Sequence, residues 1–509
     1  MEILINNLKI CINNWTQHNW RISGIIRKGT FHVCKFLYKK FFFPTLLFIL
    51  NITFLYPQEP QQPDAIIFPL ENSLKSGISI SMGSNLVLWS FNRFVTQADY
   101  GRTSLNSVKT NITNPWTWDQ DNFAVNHLGH PYQGSIYYSS ARSAGADPWT
   151  SLAVTVLGSV TWEEFMETET PSYNDLIVTT FGGAAIGEIF YRLSEVLIYG
   201  EKGTRKETGL ALQAAGTVLS PASSLNRLLL KDIHRPETKP INGWTSVGGG
   251  YSHINLNFIN NDESKIQDQG FSSLYDLNFS YGDPFSSTNL LPYDFFSLSS
   301  SVGIHADNFF LSLFTEGLIW GKLLYSSRNE DARHQLGLYL HYDFILNRII
   351  NLGANSTGLG WVYEVPLGKG WNFQSFVHLG FVFLGASDII FLKYEDLYLE
   401  PPDYERRNYS LSIGDTSKIS LKLNWNDRLY LDWQYRFYNL YILDSTVPEK
   451  GTTGKEFVGV GVFTLRYVIH DPWYIGIATH FYHKETFYEN YEDFNEIMGS
   501  YALIAGFSF

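Results

Sequence analysis

Cysteine is almost absent from this sequence: two residues in 509, Cys11 and Cys34. Both lie before the point where a signal segment would be cut. A chain cut there has no disulfide, no thiolate metal site and no Cys nucleophile. Neither Cys ends an apolar run, so a lipoprotein anchor is not expected. Charge is sparse, at 17%. Mean hydropathy is only −0.11, far below that of a polytopic helical membrane protein. Positive charge is scarcest after the N-terminus. The first 56 residues hold seven Lys/Arg against one Glu, so the remainder carries 30 Lys/Arg against 48 Asp/Glu, a net of −18. That acidity disfavours nucleic acid as a partner. Catalytic signatures are missing too: no G-x-S-x-G, no H-E-x-x-H and no phosphate-cradling glycine loop.

Aromatic residues, in contrast, are plentiful at 16%. From about residue 240 to 509 they sit in segments of strict period-two alternation, the pattern of strands with two unlike faces. Leu429, Leu431, Trp433, Tyr435 and Phe437 share one face; Asp432, Gln434 and Arg436 share the other. Leu336, Leu338, Leu340, Tyr342 and Phe344 oppose Gln335, Tyr339, His341 and Asp343. The same holds for Phe463, Leu465, Tyr467 and Ile469 against Thr464, Arg466 and His470, and for Trp473, Ile475, Ile477 and Phe481 against Gly476, Ala478 and His480. Soluble sandwiches also alternate. Aromatic clustering toward strand ends and a last strand finishing in Phe509 favour a transmembrane barrel. The expectation is an antiparallel barrel of about 12 strands, within a range of about 10–14, with a polar lumen. Phe509 is expected to engage the outer-membrane assembly machinery. Two acidic aromatic stretches, 393–407 and 484–496, read as loops.

The N-terminus reads as a targeting segment over residues 1–56. Lys35, Lys39 and Lys40 precede an apolar run from Phe41 to Leu55, and the polar QEPQQPD stretch follows. No A-x-A site marks the cut, and the region before Lys35 is long for such a segment. A misassigned start or an uncleaved anchor would explain that.

Between these parts the period changes. After a linker and first helix (57–120), segments 75–95, 149–168, 174–199 and 206–230 carry apolar residues at three- and four-residue spacing. The expectation is a helical module over 121–235, an α+β chain overall, with the module plugging the barrel or docking from the periplasmic side. Gly183 and Gly187 form a G-x-x-x-G that permits close helix approach. Polar residues crowd this apolar setting: His127, His130, Tyr132 and Arg142, then Glu163, Asn174, Asp175, Glu188 and Arg192. A carboxylate in an apolar helix needs a partner. Three readings follow. His127 or His130 acts as general base, with Glu163 or Glu188 orienting it. Or those four bind a divalent metal. Or Tyr132, Arg142, Asn174, Asp175 and Arg192 complete a structural polar network. The spacing matches no established metal motif, and neither metal nor cofactor is assigned.

The runs WTWDQDNFAVNHLGHPYQGSIYYSSARSAG and GSVTWEEFMETETPSYNDLIVTTFGGAAIGEIFYRLS carry a resemblance. From Ser81 to Ser194 the chain resembles an uncharacterised bacterial envelope family, domain of unknown function three-nine-four-three. The HPY-x-GS motif falls on His130 to Ser135, the WE pair on Trp162 and Glu163, the ND pair on Asn174 and Asp175, and G-x-x-x-G-E on Gly183 to Glu188. Glu164 departs from the family, which more often has an apolar residue there. The resemblance implies an envelope location and a shared module, and no activity.

The leading expectation is a bacterial outer-membrane barrel with a helical plug or docking module, acting in transport, ligand binding or envelope organisation, with outer-membrane lipid as its surroundings. The rivals are a lipid- or lipopolysaccharide-modifying enzyme using the His/Glu cluster, and an adhesin-like surface protein.

Overall fold

The computed structural model describes residues 70–200, 208–230, 238–258, 264–305, 308–325, 331–347, 350–390, 407–448 and 451–509. The targeting segment and nearly all of the 393–407 stretch lie outside the described residues. Helices and strands belong to one compact unit.

Twelve long strands form a closed antiparallel meander: β1 Ile241–Phe258, β2 Ser264–Tyr281, β4 Phe296–His305, β5 Asn308–Tyr325, β6 Arg333–Leu346, β7 Asn351–Gly368, β8 Trp371–Asp388, β9 Tyr409–Trp425, β10 Leu429–Ile442, β11 Gly454–His470, β12 Trp473–Tyr488 and β13 Phe494–Ser508. Asn289–Leu290, β3, is a two-residue addition to β5. Closure comes from β1 pairing with β13, Trp244 opposite Ser508. Each long strand therefore has a partner strand on both sides, though the shorter β4 meets only Ser272–Tyr281 of β2. The 484–496 stretch is corrected: it is mostly strand, with only residues 489–493 turning between β12 and β13.

Side chains of strands that are not neighbours meet only through the lumen, and those contacts identify the inward face. Lys418 of β9 bonds Asp343 of β6. Lys484 of β12 reaches Asp388 of β8, and Arg436 of β10 lies 4.1 Å from the Phe314 ring of β5. The inward set is thus the polar face read from the alternation. The outward set is apolar and bare over much of the wall: Val247, Phe271, Leu359, Leu379, Trp433, Ile475 and Leu503 are exposed.

Two regions of the lumen differ. Around the loop 347–350 and the turn 489–493 it is filled by Ile254, Ile345, Ile350, Leu352, Val382, Leu440, Val458 and Met498, continued by Leu256, Ile389, Ile442 and Phe494. Toward the end that holds Ile241 and Phe509 the lining is mixed: polar groups surround a cavity, beside an apolar cluster of Trp244, Leu274, Phe310, Tyr474 and Ile504.

The helices are α1 Leu70–Phe91, α2 Leu105–Thr113, α3 His130–Arg142, α4 Pro148–Phe165, α5 Tyr173–Ile177, α6 Gly183–Tyr199, α7 Leu210–Leu219 and α8 Pro221–Leu229. Asp147 caps α4 by accepting from Trp149 and Thr150, with Pro148 at the first turn. The module's interior is polar. Asn85 donates to the Gly158 carbonyl, Ser140 to the Gly77 carbonyl, and Asn226 to the Ser140 carbonyl and the Ser143 hydroxyl. Backbones can come that close because the residues are small. A Cβ on Gly134 of α3 would stand 1.9 Å from the Thr179 carbonyl, and one on Gly183 would strike Gly134. The expected close approach at G-x-x-x-G is therefore made by α3 crossing α6.

Residues Tyr173–Tyr199 are long and apolar enough to cross a membrane by composition, yet 78% of that apolar window is buried in protein. The helix lies across the barrel wall. Ile189 packs with Phe279, Tyr281, Phe296 and Leu298. Gly182 abuts Asn355, and the Tyr342 hydroxyl donates to the His127 carbonyl. Phe279, Leu298, Thr315, Tyr342 and Asn355 form one register line across β2, β4, β5, β6 and β7. All belong to the outward face, since Tyr342 sits between inward His341 and Asp343. These contacts set the described helices against outward-facing positions of β2, β4, β5, β6 and β7.

Candidate functional site

The polar residues singled out in the sequence separate into three places. Glu188 is fully buried and clamped twice. Arg142 Nε and Nη2 reach its two oxygens at 2.8 and 3.1 Å, and Arg192 Nε reaches Oε1 at 2.9 Å. A carboxylate held between two guanidiniums is a structural knot.

His127 lies at the seam between module and barrel. Its ring is 5.1 Å from Phe123 and 5.3 Å from Tyr409, and it presses on Gly353. Neither ring nitrogen has a partner. Burial, His130 and Arg407 hold its pKa down to about 3. Such a ring is a neutral packing group at any ordinary pH. Tyr132, expected in the polar network, is exposed and stands outside it.

The third place is a basin of acids where α4 ends and α5 begins. Glu163 accepts from the Ser172 backbone N–H at 2.9 Å, and Trp162 Nε1 donates to Glu167 at 3.0 Å. Asn174 Nδ2 donates to Asp175 at 2.9 Å, while its Oδ1 accepts from the Asp119 N–H at 2.8 Å. His130 Nε2 is 3.6 Å from Asp175, and its Nδ1 is 3.3 Å from the Thr179 hydroxyl. The chain before α3 supplies Asp119 and Asp121, and Glu169 completes the group. Oxygens of Asp119, Asp121 and Glu169 lie within 4.8 Å of one another. Burial and neighbouring carboxylates push Glu163 and Glu167 well above the usual carboxylate range, and Asp121 to about 6. The structure thus brings His130, Glu163, Asn174 and Asp175 into one region and leaves His127 and Glu188 out. The carboxylate beside a histidine is Asp175, not Glu163.

Sequence reading missed three acids and a base: Asp119, Asp121 and Glu169, and Arg407, whose Nη1 donates to the Asp119 carbonyl at 2.9 Å. They sit in irregular segments, where periodicity carries no signal.

The lumen holds a second candidate. A cavity of about 80 Å³ is lined by Ser297, Glu316, Gln374, Lys418, Lys422 and Arg436, among others. Lys418 is neutralised by Asp343, at 2.6 and 2.9 Å. Arg436 spends one nitrogen on Gln434 at 3.0 Å; its Nε and Nη1 are buried without a partner. Pro284 and Phe295, from the connection between β2 and β4, also line this cavity.

Residues 115–222 match the family model described as Domain of unknown function (DUF3943). That span runs from the chain before α3 to the start of α8, so it holds the acid basin and the Glu188 knot. No curated protein matches the chain. Among solved structures, the KdgM porin is 10% identical with a TM-score of 0.21, over 52% of this chain and 99% of that one. A FadL homologue of Pseudomonas aeruginosa is 9% identical with a TM-score of 0.25, over 53% of this chain and 90% of that one. The Pseudomonas putida toluene transporter TodX is 7% identical with a TM-score of 0.22, over 54% and 90%. At this level of similarity nothing about solutes passes from them to this chain.

Proposed function

We propose that this chain is a bacterial outer-membrane barrel that binds a small polar anion in a one-sided vestibule of its lumen, with the DUF3943 module docked on its wall. The bare outward face of Val, Leu, Ile, Phe and Trp fits lipid, and closure gives each long strand a partner on both sides, as hydrocarbon demands. The turns at 369–370 and 471–472 are short, and they share an end with Ile241 and Phe509. Short turns mark the periplasmic side, so the vestibule opens there. In this reading Phe509 presents the last strand to the assembly machinery.

The observation that carries the solute reading is Arg436. A buried guanidinium with two unpaired nitrogens is costly unless an acceptor arrives. Lys422 adds charge of the same sign. The apolar filling beyond the cavity argues against free diffusion through the lumen. Calorimetry on the purified full chain in detergent, with succinate and with inorganic phosphate as probes, tests this. Saturable binding of either, lost in Arg436→Met, supports the reading; no binding of either overturns it. Deleting residues 70–230 should leave bilayer conductance unchanged, because the module is not in the path. A rise on deletion would restore the plug.

A second reading rests on the acid basin. A histidine beside Asp175, with Glu163 kept protonated by burial, could transfer protons in envelope lipid chemistry. Envelope lipid mass spectrometry decides it: a species present with the native chain and absent with Glu163→Gln at equal barrel levels would favour an enzyme.

A further inference from the structure

The lumen wall above the vestibule holds a cluster that the solute reading does not use. Glu316 of β5, His341 of β6 and His378 of β8 all face inward. Each offers one ligand atom, and the three atoms lie within 4.8 Å of one another. Both imidazoles are about 1% exposed. Their closest approach, His378 Nδ1 to His341 Nε2, is 3.3 Å. Two nitrogens bound to one tetrahedral metal at ~2.05 Å stand about 3.4 Å apart. We propose that Glu316, His341 and His378 form a site for a first-row divalent cation of the zinc class.

Several features support that. The donor set is two imidazoles and one carboxylate, the three-ligand arrangement of zinc sites that keep an open position. Glu316 also lines the vestibule, so the open position faces the cavity. The Glu316 carboxylate is oriented from behind by the Ser297 hydroxyl, which donates at 2.7 Å; ligating carboxylates are typically held this way. The rings are held from both sides: Tyr339 and Phe376 flank His378 at 4.4 and 4.1 Å, and the rings cannot turn away without opening that stack. Of the two cations beside Glu316, Lys418 is already paired with Asp343, and Arg436 spends a nitrogen on Gln434. Without a metal, one of these two ring nitrogens would have to donate to the other. The site stands independently of the anion in the vestibule.

The test uses the purified full chain in detergent, stripped with a chelator and titrated with Co²⁺, followed by its visible ligand-field absorption and by competition with Zn²⁺. The expected result is one Co²⁺ per chain with a tetrahedral-type spectrum, displaced by Zn²⁺. His378→Gln should abolish that spectrum. Ser297→Ala, which leaves all three ligands in place, should weaken binding about 10-fold. Heat-modifiable gel mobility confirms that each variant is a folded barrel. Should His378→Gln fail to fold, Ser297→Ala and Glu316→Gln carry the test, since both keep the shape of the wall. No stoichiometric binding by the native chain overturns the proposal. So does a spectrum that survives His378→Gln or Glu316→Gln but disappears in Asp121→Asn, because the metal would then sit among the exposed acids of the module.

Discussion

The barrel lumen and the interior of the helical module both bury charge, and they do so in opposite ways. In the lumen, Arg436 apart, charges meet their opposites: Lys418 with Asp343 across the barrel, Arg466 with Asp432 of the adjacent strand at 2.6 Å, and Lys484 with Asp388 at 3.1 Å and Glu456 at 3.4 Å. In the module Glu188 is paired with Arg142 and Arg192, and Glu195 with Arg227. Beside these pairs the acid basin gathers six carboxylates, and the described residues set His130 and Arg407 beside them. Paired charge fixes the positions of elements. Like charge held together costs stability, which marks a place kept for another reason.

The sharpest way to break the comparison is to unpair the knot. Glu188→Ala leaves Arg142 and Arg192 buried without a counter-charge. It should destabilise the module by about 3–5 kcal/mol, read as early proteolysis of residues 70–230 from a barrel that still shows heat-modifiable mobility. If the barrel fails with the module, the two are one cooperative unit. The next largest effect is at the wall. Ile189→Ala empties a contact against Phe279 and Leu298 and should cost about 2–5 kcal/mol of docking, measured by the denaturant concentration that releases the module. Tyr342→Phe is milder. It removes the hydroxyl that donates to the His127 carbonyl and should cost about 1–2 kcal/mol in the same assay. An unchanged midpoint would mean that water replaces the hydroxyl and the seam is wet.

These positions also show where sequence reading stops. The strands were legible because alternation is a property of the chain alone. Leu429 to Phe437 face outward as expected, and the strand count agrees. The helices over 148–165 and 173–199 carry their apolar spacing openly. Helix α3 does not: His130–Arg142 mixes Ser, Tyr and Gly on every side, because it is surrounded by other helices and a wall. The wall itself misleads. Tyr342 and Phe344 read as lipid-facing, and an outward aromatic looks the same whether lipid or a helix covers it. So the position of the module was not legible. The His/Glu set is divided among separate places for a related reason. Spacing can place Glu163 and Glu188 on helices, but which of them meets a histidine depends on how α3 crosses α6. Parity, by contrast, put His341 inside the barrel beside Asp343. What parity cannot say is that His378, two strands away, points at it.

The smallest expected effect separates the two interiors most cleanly, because it depends on pH. Burial and like charge raise Asp121 to about 6 and raise Glu163 and Glu167 well above the ordinary range. The folded module therefore holds protons that an unfolded chain gives up near pH ~4. Its stability is fully present below that pH and is lost as pH rises through the raised values. Hydrogen exchange of α4 and α5 should accordingly speed up from pH 5 to pH 8, after correction for the intrinsic rate. The paired lumen of β6, β9 and β10 should change little over the same range. Glu163→Gln supplies a neutral side chain of the same shape and should flatten the slope. A module that grows more stable toward pH 8 would reverse the argument: its acids would then be ionised and held by a bound cation. Loss of that stability on adding a chelator would identify the basin as a cation site and not a proton store.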